Sequence, residues 1–305
     1  MATTVPPIGE PIGTAYQRLS GTSMATPHVA GAAALLLQQH PGWTGAELKA
    51  ALMGSASSNP ALGPFAQGAG RIDIDRATRQ GVIAEPPSLS LGTAKWPHTD
   101  DPLITRTVTY RNDGAAPITL ALTASLALAD HAAALPGMIR VDPAALTVPA
   151  GGTADATVTF DTNGDAPNGR YAGAVSASAG DLRIETLVAI EREVESHDLT
   201  LRATDRAGAA TTMSVFLAPR RSDAIIQFLD VESELTLRLP RDEYALYAFP
   251  DDPVSLVAPR LVLDRDLTLA LDARQAKPVD VRYAVWRSTS APCGQPPGTR
   301  RTTLS

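Results

Sequence analysis

Residues Thr153–Asp161 read TADATVTFD. On an extended chain Ala156, Val158 and Phe160 share one face, and Asp155, Thr157 and Thr159 share the other. Alternation with period two marks a strand with one face in a core and one in water. The flanks agree: VPAGG (Val148–Gly152) and DTNGDAPNG (Asp161–Gly169) are rich in residues that turn a chain. Upstream, TRTVTYRND (Thr105–Asp113) alternates in the same way and points Val108 and Tyr110 inward. Short alternating strands between such turns predict an antiparallel β-sandwich over residues 84–194.

The pattern resumes beyond it. DLTLRATDRAG (Asp198–Gly208) aligns Leu199 and Leu201. ELTLRLPRDEYALYAF (Glu234–Phe249) aligns Leu235, Leu237 and Leu239 ahead of a turn at residues 240–243. DLTLALDA (Asp266–Ala273) aligns Leu267, Leu269 and Leu271. These stretches predict a second antiparallel sandwich over residues 195–282. Residues 283–305, with clustered Arg and Pro and no Asp or Glu, read as an irregular tail.

Residues 1–83 differ in texture. Val29, Ala32, Ala33 and Leu36 recur at helical spacing, and Ala30, Ala34, Leu35 and Leu37 fill the remaining faces. A helix over about Ser23–Gln39 that is apolar nearly all round is expected to be buried on most sides. Thr44 followed by Glu47 is a capping-box pattern opening a second helix, whose apolar face is Leu48, Ala51 and Leu52. GAGRIDIDRATRQG (Gly68–Gly81) reads as a turn or short strand and a short helix, and EPP (Glu85–Pro87) as a linker.

The start of the first helix, LSGTSMATPHVAG (Leu19–Gly31), carries chemistry. A serine hydroxyl is a poor nucleophile until a base takes its proton. A helix N-terminus helps, because free backbone N–H groups and the helix dipole stabilise a developing oxyanion. Gly21 permits a sharp entry and a close substrate approach, Ser23 stands at the helix start, and Pro27 is compatible with a first turn.

SGTSMATPHVAGAAALL closely resembles the serine signature of the subtilisin-like (S8) serine peptidases. HPGWTGAELKAALMGSA and GAGRIDIDRA resemble the segments that close that peptidase domain. The two β regions resemble appendages of large secreted actinobacterial subtilases, the first fibronectin-III-like and the second carboxypeptidase-regulatory or transthyretin-like. The resemblance implies a mixed fold: the C-terminal helical piece of an α/β subtilisin-type domain, followed by two sandwiches. It also implies serine-type peptide-bond hydrolysis with Ser23 as nucleophile and its own N–H as an oxyanion donor. Gly21, Thr22 and Met24 fall in the substrate and oxyanion neighbourhood, and His28 matches a structural residue of the helix. Protein or peptide substrates and an extracellular location follow from the same likeness.

In the subtilisin order the acid and the base precede the serine. The 22 residues before Ser23 hold no Asp and no His, and no Asn occurs before Asn59. His28 stands roughly 7.5 Å along the helix and about 140° round from Ser23, out of reach of its hydroxyl. His40, His98, His131 and His197 lie further on, in loops or β regions. The chain is therefore expected to be catalytically incomplete, with Asp and His supplied from sequence upstream of Met1. The alternative is a non-catalytic extracellular binding or spacer module with a relic peptidase segment.

DTNGDA (Asp161–Ala166) echoes a calcium loop, but Ala166 and Ala172 stand where Gly and Glu are required, so no metal site and no cofactor is expected. With 26 Lys and Arg against 32 Asp and Glu, net charge −6, the chain has no basic field for nucleic acid or anionic membrane. One cysteine, Cys293, excludes an internal disulfide, and MATTVPPIGEP lacks the basic and apolar regions of a signal peptide.

Overall fold

The computed structural model describes residues 10–12, 16–129, 136–222, 225–250 and 254–277. His131, Cys293 and the expected tail at 283–305 lie outside them. The chain divides into two compact units, Met1–Glu195 and Ser196–Ser305, and is mostly β-sheet with few helices.

The first unit opens with a small antiparallel hairpin, β1 (Glu10–Ile12) and β2 (Tyr16–Arg18). Four helices follow: α1 (Thr22–Gln39), α2 (Gly45–Gly54), α3 (Pro64–Gln67) and α4 (Ile74–Arg79). Two sheets complete it. The four-stranded sheet has the order β3 (Val82–Glu85), β5 (Ile104–Asn112), β9 (Thr153–Phe160), β7 (Ile139–Asp142). The five-stranded sheet has the order β4 (Ser88–Ala94), β11 (Leu182–Arg192), β10 (Gly169–Ala179), β6 (Ile118–Leu128), β8 (Ala145–Val148). Within these sheets every pairing is antiparallel except β4 with β11.

Alternation delivers the core as the sequence predicts. Val108, Tyr110, Ala156 and Val158 are fully buried, and they share one apolar cluster with Leu120, Val175, Ile184 and Val188 of the other sheet. Two sheets closed over one core are a sandwich-like arrangement. Tyr171, near the start of β10, donates its hydroxyl to the Pro167 carbonyl four residues upstream at 2.6 Å. This Tyr-to-backbone bond is the corner device of Greek-key sandwiches.

The second unit repeats the logic. Its sheets have the orders β15 (Glu234–Pro240), β12 (Ser196–Thr204), β18 (Leu267–Asp272), and β14 (Ile226–Val231), β13 (Met213–Pro219), β16 (Asp242–Pro250), β17 (Leu256–Leu263). Leu199, Leu201, Val215, Leu217, Leu246 and Leu263 form its centre, all at 0 % exposure. Tyr244 bonds the Pro240 carbonyl at 2.7 Å, a second Tyr corner with the same four-residue offset.

No parallel α/β sheet carries α1 among the described residues; both parallel pairs, β4–β11 and β12–β18, belong to the sandwiches. The helices instead form a small cluster of Ala32, Leu36, Ala50, Ala51, Leu52 and Ala77 that closes on Ile83 of β3. Gly54 lets α2 approach β11, since a Cβ there would stand 3.0 Å from Ile184 Cγ2. Among the described residues no helix is long and apolar enough to cross a membrane.

Candidate active site

Gly21 caps α1 with φ 154°, a backbone region that side chains disfavour, and this lets the chain turn abruptly into the helix. The Met24 and Ala25 N–H groups bond the Gly21 carbonyl at 3.1 and 3.2 Å. Ser23, the second helical residue, keeps its N–H among the unpaired donors of the first turn. Its side chain is exposed, and its hydroxyl bonds no described residue. Thr26 Oγ1 donates to the Thr22 carbonyl at 2.9 Å, which ties the first turn together.

Pro27 lies in the second turn rather than the first, because it is the sixth helical residue and a turn holds about 3.6. A proline there removes the N–H that would bond the Ser23 carbonyl. The backbone around Ser23 therefore has a free donor before the side chain and a carbonyl without its usual i+4 partner after it. The aligned amides of α1 direct positive potential at this point.

The helix that carries the serine is largely uncovered. Ala32 and Leu36 are its buried residues, while Met24 is 37 %, Val29 45 %, Leu35 51 % and Leu37 41 % exposed. The expectation of burial on most sides therefore does not hold in the described chain. The elements that pack on α1 are α2 and α4, and they cover one face.

None of the described histidines pairs with Ser23. His28 Nδ1 lies 2.7 Å from the Met24 carbonyl, folded back on its own helix. His40 ends α1 and stacks on Trp43, ring centroids 3.8 Å apart. His197 lies 3.9 Å from Asp266 in the second unit. His98 is buried beside Asp101, Nδ1 to Oδ2 2.8 Å, an acid–imidazole couple of the kind that orients a base. Its Nε2, however, meets the Glu193 carbonyl at 2.8 Å, so neither ring nitrogen is open to a hydroxyl. Thr162 also donates to Asp101 Oδ2, at 2.7 Å, which makes this cluster a tie between the β4–β5 loop and the DTNGDA turn.

In that turn the Asp161 carboxylate accepts from the Asn163 N–H and side chain, which pulls its pKa down. The carbonyls of Thr162, Gly164 and Ala166, and Asn168 Oδ1, accept from the buried Arg192 guanidinium. The carbonyls of this turn thus converge on an internal cation. Among the described residues no group of three or more His, Cys, Asp or Glu side chains could hold a metal ion.

The base of α2 is the other electrostatic centre. Thr44 and Glu47 form the reciprocal capping box, and Arg111 of β5 reaches the same carboxylate. The Arg111 bond, followed by the Thr44 backbone and hydroxyl, lowers the Glu47 pKa to about 2. Arg111 also stands 5.7 Å above the Trp43 ring. Sequence reading finds the capping box from its spacing but misses Arg111, which is 64 residues away and carries no local signal.

The profile of the subtilase family matches residues 6–70, the stretch that contains Ser23, α1 and α2. "Subtilisin-like protease SBT1.9" of Arabidopsis thaliana is 41 % identical over 73 residues, which is 24 % of this chain and 10 % of that protein. "Subtilisin BL" of Lederbergia lenta is 43 % identical over 67 residues, covering 22 % of this chain and 24 % of that protein. The matched stretch thus spans between a tenth and a quarter of the length of these curated relatives. Among solved structures, one from a chaperone–tip adhesin complex of CFA/I fimbriae covers 59 % of this chain and 99 % of its own at 9 % identity. Its TM-score is 0.29. Residues 6–70 are thus similar in sequence to a stretch of subtilase-family, S8-type serine peptidases.

Proposed function

We propose that residues 1–83 are the C-terminal part of a subtilisin-like serine endopeptidase domain, with Ser23 as its nucleophile. Residues 84–194 and 195–282 are then sandwich appendages of an extracellular enzyme acting on protein or peptide substrates. The observation that carries this reading is Ser23 itself, exposed at the open N-terminus of α1 with an unpartnered hydroxyl inside a subtilase-family match. In the complete enzyme Ser23 Oγ attacks the scissile carbonyl carbon and its proton passes to a histidine base. The C–N bond breaks as the amine leaves with that proton, and water then releases the acyl group from Ser23. The Ser23 N–H faces the developing oxyanion, with Gly21, Thr22 and Met24 around it.

On this reading the chain by itself is catalytically incomplete. The Asp and His come from polypeptide outside the described residues, and the exposed apolar face of α1 is the surface that the rest of the domain covers. Losing triad partners costs several orders of magnitude in rate. Incubating the purified chain with a fluorophosphonate probe is therefore expected to leave Ser23 unlabelled. Stoichiometric labelling at Ser23, lost in Ser23→Ala, would overturn the incompleteness. Labelling that appears only when the upstream portion of a subtilase domain is supplied would support both parts of the reading.

A further inference from the structure

The helix that carries Ser23 is seated by one end. Every residue from Thr22 to Gly31 is exposed, and the buried residues of α1, Ala32 and Leu36, lie in its C-terminal half against α2 and α4. At that end His40 caps α1, and the Trp43 N–H bonds the His40 carbonyl at 3.0 Å, so the two rings stack where α1 hands over to α2. Arg111 of β5 reaches this joint from the first sandwich. Its guanidinium stands over the Trp43 ring, bonds the Glu47 carboxylate at the start of α2, and is steadied by Asp113, Nη2 to Oδ2 3.2 Å. The far end of α2 is held by the sandwich as well. The chain crosses from one sheet to the other between β3 and β4, so β4 pairs with β11 only from Leu187 to Arg192. Among the described residues no strand pairs with Leu182–Thr186 on that side. Instead α2 packs there: a Cβ on Gly54 would stand 3.0 Å from Ile184 Cγ2 and 3.9 Å from the Glu185 carbonyl oxygen. A helix laid over an open strand edge is one way that proteins close it.

We propose that Arg111 is a positioning residue for the Ser23 reaction, and that the first sandwich is thereby part of the catalytic unit rather than a detachable appendage. The proposal rests on the reading of Ser23 as the nucleophile. From Leu36 back to Ser23 the helix runs about 20 Å at ~1.5 Å per residue. A tilt of about 5° at the seat therefore carries Ser23 about 1.7 Å sideways. Misplacing a reacting group by about 1 Å costs on the order of 100-fold in rate. Polypeptide that covers the exposed face of α1 meets the helix from the other side. The seat itself is built from α2 and α4, and α2 is fixed at one end by Arg111 and at the other by the β11 edge.

Pulsed dipolar EPR of the full chain tests the seating directly. Spin labels are placed on Ala25→Cys, in the first turn of α1, and Thr157→Cys, exposed on β9, in a Cys293→Ser background. A narrow distance distribution is expected. Arg111→Gln should shift or broaden it by about 2 Å, the displacement that a tilt of about 5° produces. Arg111→Lys keeps a charge opposite Glu47 and should recover part of the loss. Leu120→Ala, a core deletion in β6 of the opposite sheet, should lower the melting temperature and leave the distribution in place. A distribution already broad in the parent, one unmoved by Arg111→Gln, or one that Leu120→Ala broadens as much would overturn the proposal. Supplying the upstream portion of a subtilase domain adds the chemical readout. The maximal rate of Ser23 labelling by a fluorophosphonate should fall about tenfold or more in Arg111→Gln, with the half-saturating probe concentration unchanged. Labelling as fast in Arg111→Gln as in the parent would overturn the positioning role. A parent that stays unlabelled there overturns the reading of Ser23, whereas the seating of α1 is decided by the distances.

Discussion

At the scale of single residues, the polar anchors of the helical piece decide how it is held, and they differ in how local they are. Thr44 and Glu47 stand three apart, so their capping box is legible in the sequence and forms as read. Replacing Thr44 by Ala removes a side-chain acceptor from the start of α2 and is expected to cost about 1 kcal/mol, measured by urea unfolding. Arg111 is invisible to local reading because a strand brings it to Glu47 from a distant part of the chain. It makes the Glu47 carboxylate more acidic when folded than when unfolded. Such a group stabilises the fold at pH values above its unfolded pKa, and that contribution is lost as pH falls towards the folded value of about 2. The melting-temperature gap between the parent chain and Glu47→Gln should therefore be widest near neutral pH and shrink below about pH 4. A gap independent of pH would assign Glu47 a role in packing or capping alone. Arg192 and His98 were equally hidden, since each binds loop atoms that only the closed sandwich gathers.

At the scale of elements, period and environment are separate questions, and α1 shows the difference. Apolar spacing predicts the helix to within a residue of its observed bounds, Thr22–Gln39. It cannot say what covers that helix, because coverage depends on residues brought in by tertiary structure. Of its leucines, Leu36 is buried against α2 and α4, while Leu35 and Leu37 face water. Leu36→Ala should cost about 2–5 kcal/mol, the range for a buried leucine, whereas Leu35→Ala should fall within about 0.5 kcal/mol of the parent. Leu35→Gln should raise solubility by breaking the exposed apolar stripe. Equal destabilisation by Leu35→Ala and Leu36→Ala would mean that the exposed side is covered in solution. Strands were easier to read, because burial on one face imposes an alternation that survives in the sequence: Ala156, Val158 and Phe160 are all buried as their spacing demands. Which strands pair was not legible, and the parallel pairing of β4 with β11 joins segments about a hundred residues apart.

At the scale of the whole molecule, the distribution of core predicts the order in which the chain comes apart. Each pair of sheets closes on a cluster of large side chains, with Tyr110, Phe160 and Tyr171 in the first unit and Met213 and Leu246 in the second. The helices share a core built mostly of alanines, with Leu36, Leu52 and Ile83 as its larger members. Alanine buries little apolar area, so this piece gains the least from being folded. The sandwich does not depend on it: β3 is held by its ladder to β5, and Val82 and Ala84 sit in the sandwich core. Regions with little buried apolar area open at lower free energy than the global fold, and native-state proteolysis samples those openings. Limited digestion of the native chain should therefore cut first within α1–α4 and leave a stable product that starts near Val82. Mass spectrometry of the early fragments checks this. Early cleavage inside β5, β9 or β10, with residues 22–80 intact, would mean that the alanine cluster is tighter than its composition implies. Retention of the helices only in the presence of an added subtilase fragment would instead identify the exposed face of α1 as the missing half of their core.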